Sequence, residues 1–136
     1  MKIRLAVAVI AIVLARGAAA QSTPQHVATA PNPVGVWRGV SLCLVRPSAC
    51  NDEVVVYRIT RTKEASGLTM DARKIVHGRE EEMGVLSCRF APPDGPLTCA
   101  MGQGTWLFRM RNDSLVGELR LRDNTKFRDV RTVRSQ

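Results

Sequence analysis

The strongest constraint on this 136-residue chain is its punctuation. Beyond Gly35, turn-forming residues recur about every ten positions. They stand at Pro47-Ser48, Ser66-Gly67, His77-Gly78, Pro92 through Pro96, Gly102-Gln103-Gly104, Asn112-Asp113 and Asp123-Asn124. No stretch between them sustains a helical apolar period beyond about two turns. They read instead as strands over Val36–Val45, Glu53–Thr62, Leu68–Ile75, Met83–Phe90, Leu97–Met101, Thr105–Arg111, Ser114–Arg122 and Lys126–Arg134. Short strands at this spacing predict an all-β barrel or sandwich.

Side-chain alternation sharpens the prediction. In Thr105–Arg111, Trp106, Phe108 and Met110 share one face, and Arg109 and Arg111 share the other. In the next strand Leu115, Gly117, Leu119 and Leu121 align opposite Glu118, Arg120 and Arg122. This is period 2, with one face buried and one wet. The connections are short enough for simple hairpins. The expected fold is therefore a single antiparallel up-and-down β-barrel of about eight strands over residues 34–136, closed so that no edge is free. Such an interior has room for side chains or one small ligand. Trp37, Tyr57, Met70, Leu86, Phe90, Trp106, Phe108, Leu119 and Phe127 would face it. They are bulky enough that a filled interior is expected.

The four cysteines allow three pairings. Arg46-Pro47 lies midway between Cys43 and Cys50, and Pro93-Asp94 midway between Cys88 and Cys99. Both midpoints are turn residues, so each pair would meet across a hairpin near disulfide distance. Cys43–Cys50 and Cys88–Cys99 are the expected bridges. A zinc site is not expected, because neither spacing forms the tight knuckle of structural zinc.

Disulfides call for an oxidising compartment, and the first residues point the same way. Met1-Lys2-Ile3-Arg4, an apolar run from Leu5 to Ala15 and the Ala18-Ala19-Ala20 ending have the pattern of a secretory signal peptide over residues 1–20. The run is too short to span a bilayer, which takes roughly 20 residues. Residues 21–33, rich in Ser, Thr, Pro, Gln and Ala, read as a disordered leader. Without residues 1–20 the chain keeps 17 Lys+Arg against 12 Asp+Glu, a net charge of +5. A periplasmic or secreted location is expected.

Gly35-Val36-Trp37 at the start of the first strand, with Arg128, Arg131 and Arg134 in the last, resembles the calycin superfamily, the lipocalins and their small relatives. The resemblance implies a barrel plugged at one end by Trp37. It also implies a basic partner, Arg131 or Arg128, lying over the indole in a cation–π contact. At the other end it implies a mouth for a small apolar ligand, held against Tyr57, Trp106 and Phe108. The pattern is also similar to small bacterial exported domains with a Gly-x-Trp start.

Little else carries chemistry. The histidines are His26, in the leader, and His77, in a turn followed by Glu80, Glu81 and Glu82. Three adjacent strand-type carboxylates cannot all point at one ion, so a solvated hairpin tip is expected there and no metal. Catalytic carboxylate candidates are Asp52 with Glu53 or Asp71, but Asp52 and Glu53 follow Cys50-Asn51 and read as the end of a turn. No nucleophile stands by a base, and Gly102-Gln103-Gly104 lacks the following helix a phosphate loop needs. Neither an enzyme nor a cofactor is expected.

Arg109, Arg111, Arg120 and Arg122 would form a basic outer face. Nucleic acid is excluded as its partner, since the aromatics fall on the opposite side. An anionic lipid or polysaccharide surface would suit it, and a solvated exterior is the simpler expectation. The functional expectation is an exported, non-enzymatic binding protein for a small apolar ligand. The alternative is an inhibitor or protein-interaction module that meets an envelope protein through its surface or leader.

Overall fold

Period-2 patterning becomes eight strands in the computed structural model, which describes residues 30–136. The segment expected to be a signal peptide, residues 1–20, and most of the expected leader, residues 21–33, lie outside the described residues. The strands are β1 (Gly35–Cys43), β2 (Glu53–Arg61), β3 (Gly67–Val76), β4 (Arg79–Phe90), β5 (Leu97–Met101), β6 (Gly104–Arg111), β7 (Ser114–Leu121) and β8 (Lys126–Arg134). Each pairs antiparallel with the next, and β1 pairs with β8, so the sheet is a closed up-and-down barrel. Among the described residues no helix is long and apolar enough to cross a membrane.

Most strand limits agree with the sequence reading to within two residues. The exception is β4, which starts at Arg79 rather than Met83. His77 and Gly78 both have positive φ, 49° and 78°, so a two-residue turn starts the ladder at once with Val76 opposite Arg79. The Glu80-Glu81-Glu82 run is therefore strand, not hairpin tip. Polarity hid it, because this part of β4 has little apolar alternation to read.

The barrel closes, as expected, but its β4–β5 seam is short. The β4–β5 ladder has only three pairs, Cys88↔Cys99, Arg89↔Thr98 and Phe90↔Leu97. The ladder to β5 stops at Cys88, while the ladder to β3 continues to Arg79. β5 is five residues long and β4 is twelve, so most of β4 outruns its neighbour.

The core fills one half of the barrel. Trp37, Val55, Ile59, Leu68, Met70, Leu97, Phe108, Leu115 and Val130 are all buried there. Gly117 makes room for the largest contact. A β-carbon at Gly117 would sit 2.3 Å from Phe108 Cδ1, so only hydrogen lets that ring lie across β7.

Both expected disulfides are present, with Cα separations of 5.8 Å for Cys43–Cys50 and 4.1 Å for Cys88–Cys99. Cys43–Cys50 fastens the β1–β2 loop, and Cys88–Cys99 holds the short β4–β5 seam. Replacing Cys88 and Cys99 together by alanine is expected to cost about 3 kcal/mol in urea unfolding, from the chain freedom that the closed loop removes. A loss below about 1 kcal/mol would show that the seam holds without its covalent link.

Outside, Glu80 bridges two arginines, Arg38 Nη2 at 3.1 Å and Arg58 Nη1 at 2.7 Å. Val56, opposite Arg38 and Arg73 in the ladders, is fully buried on this outer face. The hydrogen bond from Arg58, with Arg38 and Arg73 behind it, holds the Glu80 carboxyl below its ordinary value of 4.5. The unfolded chain lacks these partners, so between the two values it binds more protons than the fold. The resulting stability is present above about pH 4.5 and is lost as pH falls through the folded value. Melting temperature is expected to drop on acidification below about pH 4.5, less steeply in Glu80→Gln. Parallel pH profiles for the two proteins would remove Glu80 from the account.

Candidate functional site

The half of the barrel away from Trp37 is hollow, which corrects the filled interior expected from the sequence. A cavity of about 370 Å³ opens at the ends where β1, β3, β5 and β7 finish. Bulky inward residues form its floor and walls, while Ser41, Ala72 and Gly84 at its level are too small to meet across the barrel.

Phe108 is central to the cavity wall. Its ring stacks on Trp106, centroids 5.6 Å apart, and meets Tyr57 edge-on at 5.9 Å. All three residues assigned from the sequence to ligand contact therefore share one wall. Met70, Ala72, Leu86, Leu119 and Leu121 complete the apolar lining. Met83 and Met101, both exposed, also line it.

Two bulges shape the mouth. The ladders pair Ala72↔Gly84 and then Arg73↔Glu82, leaving Met83 as an extra residue in β4. They also pair Leu119↔Arg128 and Arg120↔Lys126, leaving Phe127 extra in β8. Strict alternation would turn only one of each adjacent pair inward. With the bulges, Met83 and Gly84, and likewise Phe127 and Arg128, all line the cavity. Gly84 makes this possible, with φ at 147° and open space where a β-carbon would be.

One polar spot interrupts the apolar wall. Arg128 Nη1 donates to Ser41 Oγ at 3.1 Å and lies 3.3 Å from Glu53 Oε2. Lys74 Nζ is 3.9 Å from the other oxygen of Glu53. The Arg128 side chain is only 13% exposed, so this ion pair is largely shielded from water. Tyr57 lies beside it. Burial pushes its phenol above the ordinary value of 10.0, the Arg128 charge and a hydrogen bond with Ser41 pull it down, and Glu53 adds to the rise. The net direction is upward, so Tyr57 stays protonated and neutral at physiological pH. The spot offers a hydroxyl, a carboxylate and a guanidinium within an apolar enclosure, which suits one polar group on a mostly apolar molecule.

Sequence reasoning missed this spot. It took Glu53 as the end of a turn and Arg128 as a cover for Trp37. The parity Glu53-Val55-Tyr57-Ile59 was the available signal, since Tyr57 inward places Glu53 inward.

At the closed end the arginine over Trp37 is Arg134, not Arg131 or Arg128. Its guanidinium carbon lies 4.2 Å from the indole centroid. Its Nη1 and Nη2 donate to the carbonyls of Val34 and Asn32, both at 2.7 Å, and Trp37 Nε1 donates to Pro33 O at 2.8 Å. The reason is register. Antiparallel pairing sets Trp37 opposite Arg134 and Cys43 opposite Arg128, which puts Arg128 about 20 Å away at the mouth. Arg131 has the outward parity, and its side chain, 68% exposed, pairs with Asp129.

The other candidates are not brought together. Asp52 accepts from the Cys43 amide at 2.8 Å and pairs with Arg46, so it shapes the β1–β2 loop. Asp71 pairs with Arg73 on the outer face. His77 is exposed in its turn. The four outer arginines split into two groups, because Arg109 and Arg111 lie near the β6–β7 turn and Arg120 and Arg122 near the β7–β8 turn. Leu107 and Glu118, opposite one another, stand between them. Arg120 is engaged by Glu118. No group of three metal-ligating side chains stands together among the described residues.

No protein-family model matches the chain, and no curated protein or solved structure is significantly similar to it.

Proposed function

We propose that this protein is a non-enzymatic binding protein that holds one small amphipathic molecule, largely apolar with a single polar group, in the open half of its barrel. The cavity carries the reading: an apolar enclosure of about 370 Å³ with aromatic walls and one polar spot at Ser41, Glu53, Tyr57 and Arg128. At about 30 Å³ per water-sized group, it admits roughly a dozen non-hydrogen atoms. Burying an apolar molecule of that size is the term that favours binding, at about 25 cal/mol per Å² removed from water. The polar spot then selects its orientation. The two disulfides fit an oxidising compartment, and a periplasmic or secreted carrier accords with them.

Native mass spectrometry of protein purified from its own host tests this. The expected spectrum contains a complex heavier by about 150–250 Da, the mass of roughly a dozen heavy atoms. Naphthol, an apolar ring with one hydroxyl, is expected to quench Trp106 on titration. A bare protein that also leaves naphthol unbound would overturn the proposal.

A further inference from the structure

Arg128 is held by one of its three nitrogens. Nη1 donates to Ser41 O at 3.4 Å and to Ser41 Oγ at 3.1 Å, and the same atom faces Glu53 Oε2 at 3.3 Å. A guanidinium donates from every nitrogen and accepts nothing. The N–H groups on Nη2 and Nε have no acceptor among the described residues, yet neither nitrogen is sealed from open space. The open space beside them is the cavity, which Arg128 lines with a side chain only 13% exposed.

The acceptors nearby are already used. Glu53 is the only carboxylate among the lining residues, and both its oxygens face cations, Oε2 toward Arg128 and Oε1 toward Lys74 at 3.9 Å. Glu81, opposite Lys74 in the β3–β4 ladder, is exposed and does not line the cavity. Ser41 Oγ accepts from Arg128, and Tyr57 shares a hydrogen bond with Ser41. Whichever of these two hydroxyls donates to the other, one O–H is left over, since Arg128 cannot accept. The polar spot is therefore rich in donors and short of acceptors. Its buried positive charge is only partly offset, because Arg128 and Lys74 divide Glu53 between them.

Resting on the carrier reading, we infer that the polar group of the bound molecule is a carboxylate, so that the ligand is a small acid with an apolar body. The two carboxylate oxygens take the N–H groups of Nη2 and Nε together, the planar fork-to-fork contact that a guanidinium is shaped for. The left-over hydroxyl hydrogen of the Ser41–Tyr57 pair donates to the same head group. The apolar body lies against Trp106 and Phe108, which stack on one another in the cavity wall. Charge-assisted hydrogen bonds of this kind are about twice as strong as neutral ones. A hydroxyl or amide offers the same donors a neutral acceptor, and an ammonium would bring a third cation to one carboxylate.

Four probes share one apolar body and differ in the polar group: naphthoate, naphthamide, naphthol and naphthylmethylammonium. Each is titrated against the wild-type protein at neutral pH and followed by Trp106 quenching. Naphthoate is expected to bind about tenfold or more tighter than naphthamide, which has its shape without its charge, and than naphthol. Naphthylmethylammonium is expected to bind most weakly. Arg128→Gln is expected to erase the preference, bringing naphthoate and naphthamide within about threefold of one another. Naphthoate that binds the wild-type protein no tighter than naphthamide overturns the inference, and this comparison needs no variant. So does a folded Arg128→Gln protein that keeps the preference, or an ammonium probe that binds tighter than naphthoate. None of these results touches the carrier reading, which stands wherever naphthol binds. Failure of all four probes to bind overturns both.

Discussion

Trp37→Ala is expected to lower the melting temperature by roughly 15–30 °C. Trp37 is fully buried at the closed end, and removing a large core aromatic costs about 3–5 kcal/mol through lost transfer energy and the void left behind. In a domain of this size each kcal/mol moves the midpoint by about 4–8 °C. The void is not the whole loss. The indole N–H would no longer hold Pro33 O, and Arg134 would lose the ring beneath its guanidinium. Trp37→Phe separates the parts, because it keeps a ring under Arg134 while removing the hydrogen bond and only part of the buried volume, so a smaller drop is expected. Thermal unfolding followed by circular dichroism reads both. A Trp37→Ala protein that melts within a few degrees of wild type would mean that the plug does not organise this end.

Ala72→Phe is expected to act in the opposite sense, abolishing binding while sparing the fold. Ala72 faces the cavity from β3, opposite Gly84, where small side chains leave the interior empty. A phenyl ring there would occupy the space proposed for the ligand and give the surrounding apolar atoms new contacts. Affinity for naphthol, read by Trp106 quenching, is expected to fall about 100-fold, equivalent to about 2.7 kcal/mol. The melting temperature is expected to hold or rise. Binding that survives this substitution would place the ligand elsewhere on the molecule.

Much of this was written locally. Turn residues midway between the members of each cysteine pair announced both bridges. Alternation in Thr105–Arg111 turned Trp106 and Phe108 to one face, where they line a single cavity. The same rule, applied to Glu53 and Ser41, would have found the polar spot. Parity alone, however, could not turn both Phe127 and Arg128 inward, because that takes the bulge at Phe127. Nor could it choose between Arg128 and Arg134, which share the inward parity, for the place over Trp37.

The sequence by itself determined eight strands, their inward faces and the two covalent links. These follow from backbone pleat and turn chemistry, which act over a few neighbouring residues. Only the tertiary structure decided that Arg134 meets Trp37, that the upper half is hollow, and that β4 outruns β5. Those depend on how eight tilted strands slide against one another until the first meets the last. That register belongs to the closed ring, and no single strand carries it.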